Sequence, residues 1–299
     1  MYHTMNMNIK YCFLLTILTL FVLVPVFSEP LFPDDEVPSQ TDTLIVPAIQ
    51  EVPEIDGRSD DQCWSATEWQ GINHTWVPWG GSVDSADYFG RYKCVWSPVS
   101  NLLYFLLEIT DDVFVDGYVY NPVPGSNNNY PDYDIVEVFI DEDRSGGINI
   151  FDAHSEELGY NAENAFSYHI AANAPVDGGI TTEKIACDIA GTDWSDYFIP
   201  DYNAHLPEFA LYKNDRHYTW EFSMRVYDDS FDPDDPDASL LVLHPGKIMG
   251  LSLAYCDNDT PGTKRDNFFG TVHVKESRYN EHWKDATDFG VIKLSGENL

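Results

Sequence analysis

Seven short runs constrain the fold of this chain more than anything else in it: R-Y-K-C-V-W (91–96), L-L-Y-F-L-L-E-I (102–109), I-V-E-V-F-I (135–140), A-F-S-Y-H-I (165–170), Y-T-W-E-F-S-M-R-V (218–226), I-M-G-L-S-L-A-Y (248–255) and F-G-V-I-K-L (289–294). Each is short, rich in β-branched and aromatic residues and bounded by turn residues, which is the composition of a strand. No stretch of helix length repeats its apolar residues three and four apart. The chain therefore reads as all-β, a single antiparallel β-sandwich of jelly-roll or immunoglobulin-like build, since one such domain spans roughly 200–250 residues. The segments 114–133, 190–214 and 228–246 are long and polar and read as loops. Loops on a rigid scaffold are where binding residues concentrate.

Lys10, the apolar run from Tyr11 to Val24 and the exit Val26-Phe27-Ser28 read as a signal peptide over residues 1–28. That run is shorter than the ~20 apolar residues needed to span a bilayer. Residues 29–45, rich in Pro, Asp and Ser, read as a flexible linker, and residues 46–299 as the sandwich. With no later run apolar enough to span, the expected protein carries no integral membrane segment and is secreted, extracellular or periplasmic.

The 50 acidic residues against 16 basic ones leave a net charge of −34. That sign excludes nucleic acid as a partner. It favours a monomer in solution and concentrates cations at the surface. The stretch D-I-V-E-V-F-I-D-E-D-R-S-G-G-I-N-I-F-D, Asp134 to Asp152, runs from a half-buried strand into a loop with calcium spacing. Counting from Asp141, oxygen-bearing side chains fall at positions 1, 3 and 5 (Asp141, Asp143, Ser145) and Gly146 takes the turn at 6. The Gly147 carbonyl and Asp152 complete the expected ligand set for a structural Ca²⁺. A Gly-rich acidic turn joining two strands has the same composition. Asp111 and Asp112, and Asp257, Asn258 and Asp259, are further places where acids could hold an ion, and the acidic turn Asp228 to Asp237 is a weaker one. Beyond the leader, Cys63, Cys94, Cys187 and Cys256 allow three disulfide pairings or serve equally as buried thiols.

In their order along the chain, these pieces resemble carbohydrate-binding module family 9, a calcium-containing β-sandwich. The likeness spans about residues 46 to 296 and begins at P-E-I-D-G-R-S-D-D-Q-C-W (Pro53 to Trp64), where the family's Ile-Asp-Gly enters its first strand and the Trp packs inward. It ends at W-K-D-A-T-D-F-G-V-I-K-L (283–294). The resemblance implies a sugar held between two Trp rings, with a strand Glu, an Asn and basic groups bonding its hydroxyls. Carried over residue by residue, Asn280 and Trp283 match the Asn and second Trp, and Glu137 the strand Glu. The first Trp is replaced by Pro131 flanked by Tyr130 and Tyr133, and the basic strand position by Ser167 and His169. Pyranose C–H faces pack on aromatic rings and their hydroxyls need fixed donors and acceptors. Trp69, Trp76 and Trp79 sit close together in sequence and form either a second stacking surface or a sandwich edge.

The expected function is thus a noncatalytic carbohydrate-binding protein serving polysaccharide catabolism. A glycoside hydrolase would need two carboxyl groups at a set separation, and no assembled catalytic motif is present. Sandwiches that hold haem would nominate Met224, Met249, His169 and His217, and a rigid calcium-stiffened spacer is a fourth alternative.

Overall fold

The structure, a computed structural model, describes residues 43–82, 84–121, 128–148, 165–190, 202–232 and 234–296. The expected signal peptide and nearly all of the expected linker lie outside these residues. In chain order the strands are β1 (Leu44–Val46), β2 (Gln70–Gly71), β3 (His74–Val77), β4 (Tyr88–Ser97), β5 (Leu102–Asp111), β6 (Ile135–Asp141) and β7 (Ala165–Ala172). They continue with β8 (Ile180–Thr181), β9 (Lys184–Ala190), β10 (Phe209–Asn214), β11 (His217–Met224), β12 (Ile248–Asp257), β13 (Asn267–Gly270) and β14 (Gly290–Leu294). One short helix, α1, spans Tyr202–His205. All seven runs read from the sequence are strands. Strand structure begins at Leu44, two residues inside the stretch read as linker, and the segment 190–214 contains α1 and β10 where an uninterrupted polar loop was expected.

The strands form two sheets. Sheet A runs β1-β14-β12-β6-β7-β9, with β13 attached to β12 and β3 to β13, and sheet B runs β2-β4-β5-β11-β10-β8. Neighbours are antiparallel except for β1, which runs parallel to β14. Period-two alternation sorts side chains to either face. From β6, Val136, Val138 and Ile140 join Tyr168, Trp220, Phe222, Leu253 and Tyr255 in the core between the sheets. Ile135 and Phe139 point the other way, into a second apolar cluster with Ala254, Cys256, Phe268 and Trp283. Every residue of β6 is buried, so this strand is covered on both faces and is not the half-buried strand its sequence suggested.

The outer face of sheet B is covered by the N-terminal strap. Trp64 does pack inward, but onto this outer face with Ile49, Val95, Tyr104 and Leu106, apart from the central core. The Ile-Asp-Gly motif enters no strand; it is an anchor. Glu221 on β11 is fully buried and accepts hydrogen bonds from the Asp56 N–H (3.0 Å), the Gly57 N–H (2.9 Å) and the Trp64 indole N–H (3.1 Å). Gly57 is required there, because its φ is +77° and a Cβ would stand 2.9 Å from Tyr212. Glu221→Ala orphans three donors, two of them buried, at about 1–3 kcal/mol for each that water cannot reach. The melting midpoint is expected to fall by roughly 5–10 °C, with Glu221→Gln intermediate. An unchanged midpoint by calorimetry would show that the strap is merely lying on the sheet.

Candidate functional site

The second, outer face of sheet A carries the site. Glu137 on β6 and His169 on β7 are register partners and both point outward. Their side chains approach to 3.9 Å between Glu137 Oε2 and His169 Nε2. The segment after β12 folds over this face through β13 and a loop reaching residue 289. Together they enclose a half-open cavity of about 270 Å³ lined by Tyr130, Pro131, Glu137, His169, Arg265, Phe268, Asn280, His282 and Trp283.

Five of the residues carried over from sequence, Tyr130, Glu137, His169, Asn280 and Trp283, therefore meet around one cavity. Tyr130 stacks on His169, with ring centroids 4.2 Å apart at 29°. Tyr133 does not join them: a single 3₁₀ turn, Tyr130–Asp132, turns the chain between the two tyrosines, and Tyr133 packs edge-on against Tyr118. Ser167 also stays out of the cavity. Its hydroxyl donates to the main-chain carbonyls of His282 (3.3 Å) and Trp283 (3.2 Å), so it positions the loop that presents Trp283.

Arg265, Phe268 and His282 were missed by the sequence reading. Arg265 supplies the cation expected from β7, arriving instead from the turn before β13. Its guanidinium lies over the Phe268 ring at 4.0 Å, donates to Cys256 Sγ at 3.0 Å, bonds the side-chain oxygen of Asn280, and sits 3.8 Å from Glu137 Oε1. The Cys256 thiol in turn lies 3.2 Å from Glu137 Oε1, closing a polar network beneath the cavity. His282 is wedged between Trp76 (centroids 4.3 Å) and Phe289 (5.3 Å). Burial holds it neutral, its pKa pushed down to about 3, and its Nε2 has no hydrogen-bond partner. The same loop is clamped by Arg278, which bonds Asp285 at 2.9 Å and also bonds Asp288.

A separate cluster lies at one end of the sandwich. Asp111 at the end of β5, Asp134 just before β6 and Asp257 at the end of β12 are all buried, with carboxylate oxygens within 4.8 Å of one another. Sequence reading had nominated Asp111 and Asp257 separately; the fold joins them and adds Asp134. Asp111 accepts from the Tyr255 hydroxyl (2.7 Å), Asp134 from the Asn258 N–H (2.9 Å), and Asp257 from the Asn267 amide (3.2 Å). No ion pair to any of the three occurs among the described residues. Burial is the main cause that pushes their pKa values up, to about 7 for Asp111, about 10 for Asp134 and about 8 for Asp257.

The loop after β6 is well formed as far as residue 148; Asp152 lies outside the described residues. Gly146 and Gly147 adopt positive φ of 66° and 88°. Asp141 Oδ2 accepts from the Gly146 N–H at 2.8 Å, Asp143 from the Ser145 N–H at 2.8 Å, and the Gly147 carbonyl from the Ala286 N–H at 2.7 Å. Two of the expected ligand groups thus already serve the loop's own hydrogen bonds, and the Gly147 carbonyl ties the loop to the segment before β14. Asp141 Oδ1 is buried without a partner.

The residues nominated for haem do not gather. Met224 and Met249 fill the core between the sheets, whereas His217 pairs with Thr110 at 2.9 Å on the opposite face of β11. Cys63, Cys94 and Cys256 form no disulfide. Trp76 is buried, Trp69 is half-buried beneath Arg91 (4.3 Å) and Lys93 (4.9 Å), and Trp79 is exposed, so the three make no common surface. No helix among the described residues is long and apolar enough to cross a membrane.

Comparison with solved structures supports the architecture. A carbohydrate binding module family 9 from Caldicellulosiruptor kristjanssonii in complex with cellotriose aligns with a TM-score of 0.54 at 18% identity, over 86% of this chain and 95% of that one. The same organism's family 9 module in complex with glucose gives 0.50 at 18%, over 85% and 96%. A Bacteroides uniformis protein gives 0.51 at 9%, over 85% and 99%. No curated protein matches the sequence. Residues 55–297 match the family described as carbohydrate family 9 binding domain-like, and a match over that share of the sequence makes this chain a member of that family.

Proposed function

We propose that this chain is a noncatalytic sugar-binding protein that takes one terminal pyranose of a carbohydrate into the cavity on the outer face of sheet A. The observation that carries this reading is the convergence of two aromatic rings, Tyr130 and Trp283, with Glu137, His169, Arg265 and Asn280 on one half-open cavity. Its volume of about 270 Å³ lies at the small end of ligand pockets, which favours a single ring over a long groove. Rings supply C–H stacking and the charged groups supply strong hydrogen bonds to hydroxyls. Glu137 is the one carboxylate among the described residues that line the cavity, which favours binding over hydrolysis, because glycoside cleavage uses a carboxyl pair. Glucose and cellotriose, bound by the Caldicellulosiruptor kristjanssonii module, are the first probes.

Titration calorimetry with glucose, xylose and their β-linked oligosaccharides tests the reading, with affinity in the weak range typical of small open sites. Glu137→Gln keeps the shape of the side chain and removes its charge. It is expected to weaken binding about tenfold, the size of a charge-assisted hydrogen bond. Silence across every probe, from a protein that melts cooperatively, would end the sugar reading.

The proposal includes a structural Ca²⁺ held by Asp111, Asp134 and Asp257. Three buried carboxylates with no basic partner among the described residues offer hard oxygen donors of the kind Ca²⁺ takes, which supports the reading. The ion would supply the positive charge that lets them ionise inside the protein. Asp134 lies three residues before Glu137 and four after Tyr130, so the ion would also fix both walls of the cavity. The loop from Asp141 remains a second cation position in the proposal, supported by the partnerless Asp141 Oδ1. Export to the extracellular or periplasmic space, and service in carbohydrate catabolism, complete the reading; the leader-like run from Tyr11 to Val24 supports export.

A further inference from the structure

We propose that Trp79 is an external stacking platform for the second or third residue of an oligosaccharide whose end occupies the Tyr130–Trp283 cavity. This rests on the sugar reading of that cavity and extends it outward.

Trp79 is 42% exposed, the most open of the described tryptophans, whereas Trp64, Trp76, Trp96 and Trp220 are buried. A lone exposed indole is ordinary on a protein surface. What distinguishes Trp79 is that its edge is tied down on the segment that leads to two residues of the cavity wall. The indole N–H donates to the Val274 carbonyl at 3.1 Å, on the segment that leads to Asn280 and Trp283. The turn that carries it is closed by the Gly80 N–H to Thr75 carbonyl bond (3.1 Å) and the Gly81 N–H to Pro78 carbonyl bond (2.9 Å). With its polar edge satisfied, the ring loses little freedom when a sugar packs on its face.

The strand register gives the distance. Val77 on β3 is the Cα partner of Phe268, which lines the cavity. Paired Cα atoms are about 5 Å apart and two residues of chain reach at most about 7 Å, which puts the Trp79 Cα within about 12 Å of the Phe268 Cα. That is within reach of the next residues of a glycan leaving the open side of the cavity. The chemistry recognised is the C–H face of a pyranose, with no demand on any particular hydroxyl.

Calorimetric titration of glucose, cellotriose and cellohexaose, and of xylose, xylotriose and xylohexaose, into wild type, Trp79→Ala and Trp79→Phe tests the inference. Wild type is expected to tighten with chain length. Trp79→Ala should lose about two- to tenfold for the hexamers, the value of one aromatic stack, with monosaccharide affinity unchanged. Trp79→Phe should keep most of the gain. Equal affinities of wild type and Trp79→Ala at every length overturn the inference, as does a wild type indifferent to length. Loss of monosaccharide binding in Trp79→Ala overturns it too, since Trp79 would then be a prop for the Val274 segment. A wild type that binds none of the sugars brings down the cavity reading itself, and the platform with it, a failure visible before any Trp79 variant is made.

Discussion

Trp283→Ala is expected to weaken pyranose binding at least about 30-fold, the loss that follows truncation of a central aromatic anchor at a binding site. Trp283 is half-buried at the rim of the second apolar cluster, and its backbone is held by Ser167, so truncating the ring leaves the loop's main-chain support in place. The melting midpoint should therefore move far less than affinity does. Calorimetry and thermal melting on the same preparation separate the two. Binding that survives the substitution would mean that the ring is core filler and that the sugar, if bound, sits elsewhere. Tyr130 is the partner to test next, because it lines the cavity and stacks on His169.

The second large effect concerns the ion. At pH 8 and Ca²⁺ near a hundredfold its dissociation constant, binding should add about 2.7 kcal/mol. For a domain of this size that is a rise of roughly 5–10 °C over the protein in EDTA. The pH dependence should also change sign. Without the ion, burial raises the carboxyl pKa values of Asp111, Asp257 and Asp134 from the ordinary 3.8 to about 7, 8 and 10. A raised folded pKa contributes stability that is complete below the unfolded value and is lost as pH climbs through the folded one. In EDTA the midpoint should thus fall from about pH 4 toward pH 8 and beyond. With Ca²⁺ the ionised carboxylates become ligands, and the two curves should converge near pH 4 and diverge as pH rises. Glu221, pushed up to about 7 chiefly by burial, adds the same downward trend to both curves, so their difference isolates the aspartates. Superimposed melting curves at pH 8 would remove calcium from the proposal.

How much of this was legible depends on the kind of signal. Long strands with strong alternation were read correctly because a run such as I-V-E-V-F-I shows its period over six residues. The strands β2, β8 and β13 are two to four residues long, too short to show any period. Residues that belong to strands or match the family by position, such as Glu137, His169 and Asn280, could be placed in advance. Arg265 and His282 sit on irregular chain, where nothing local predicts direction, and each reaches the cavity only because β13 folds the segment back over sheet A. The aspartate cluster was half visible. Asp111, Asp134 and Asp257 are distant in sequence, and only pairing of β6 with β12, facing β5 across the sandwich, brings them together. Ile-Asp-Gly was recognised as a motif but given the wrong task, since its partner Glu221 lies 164 residues from Gly57.

Because β6 is covered on both sides, neighbouring positions along it answer to separate demands. Val136, Val138 and Ile140 fill the core between the sheets, while Ile135 and Phe139 pack the outer cluster and Glu137 lines the cavity. Exchanges at 130, 137, 265 or 283 on the outer face are therefore expected to alter the cavity while leaving the core between the sheets as it is.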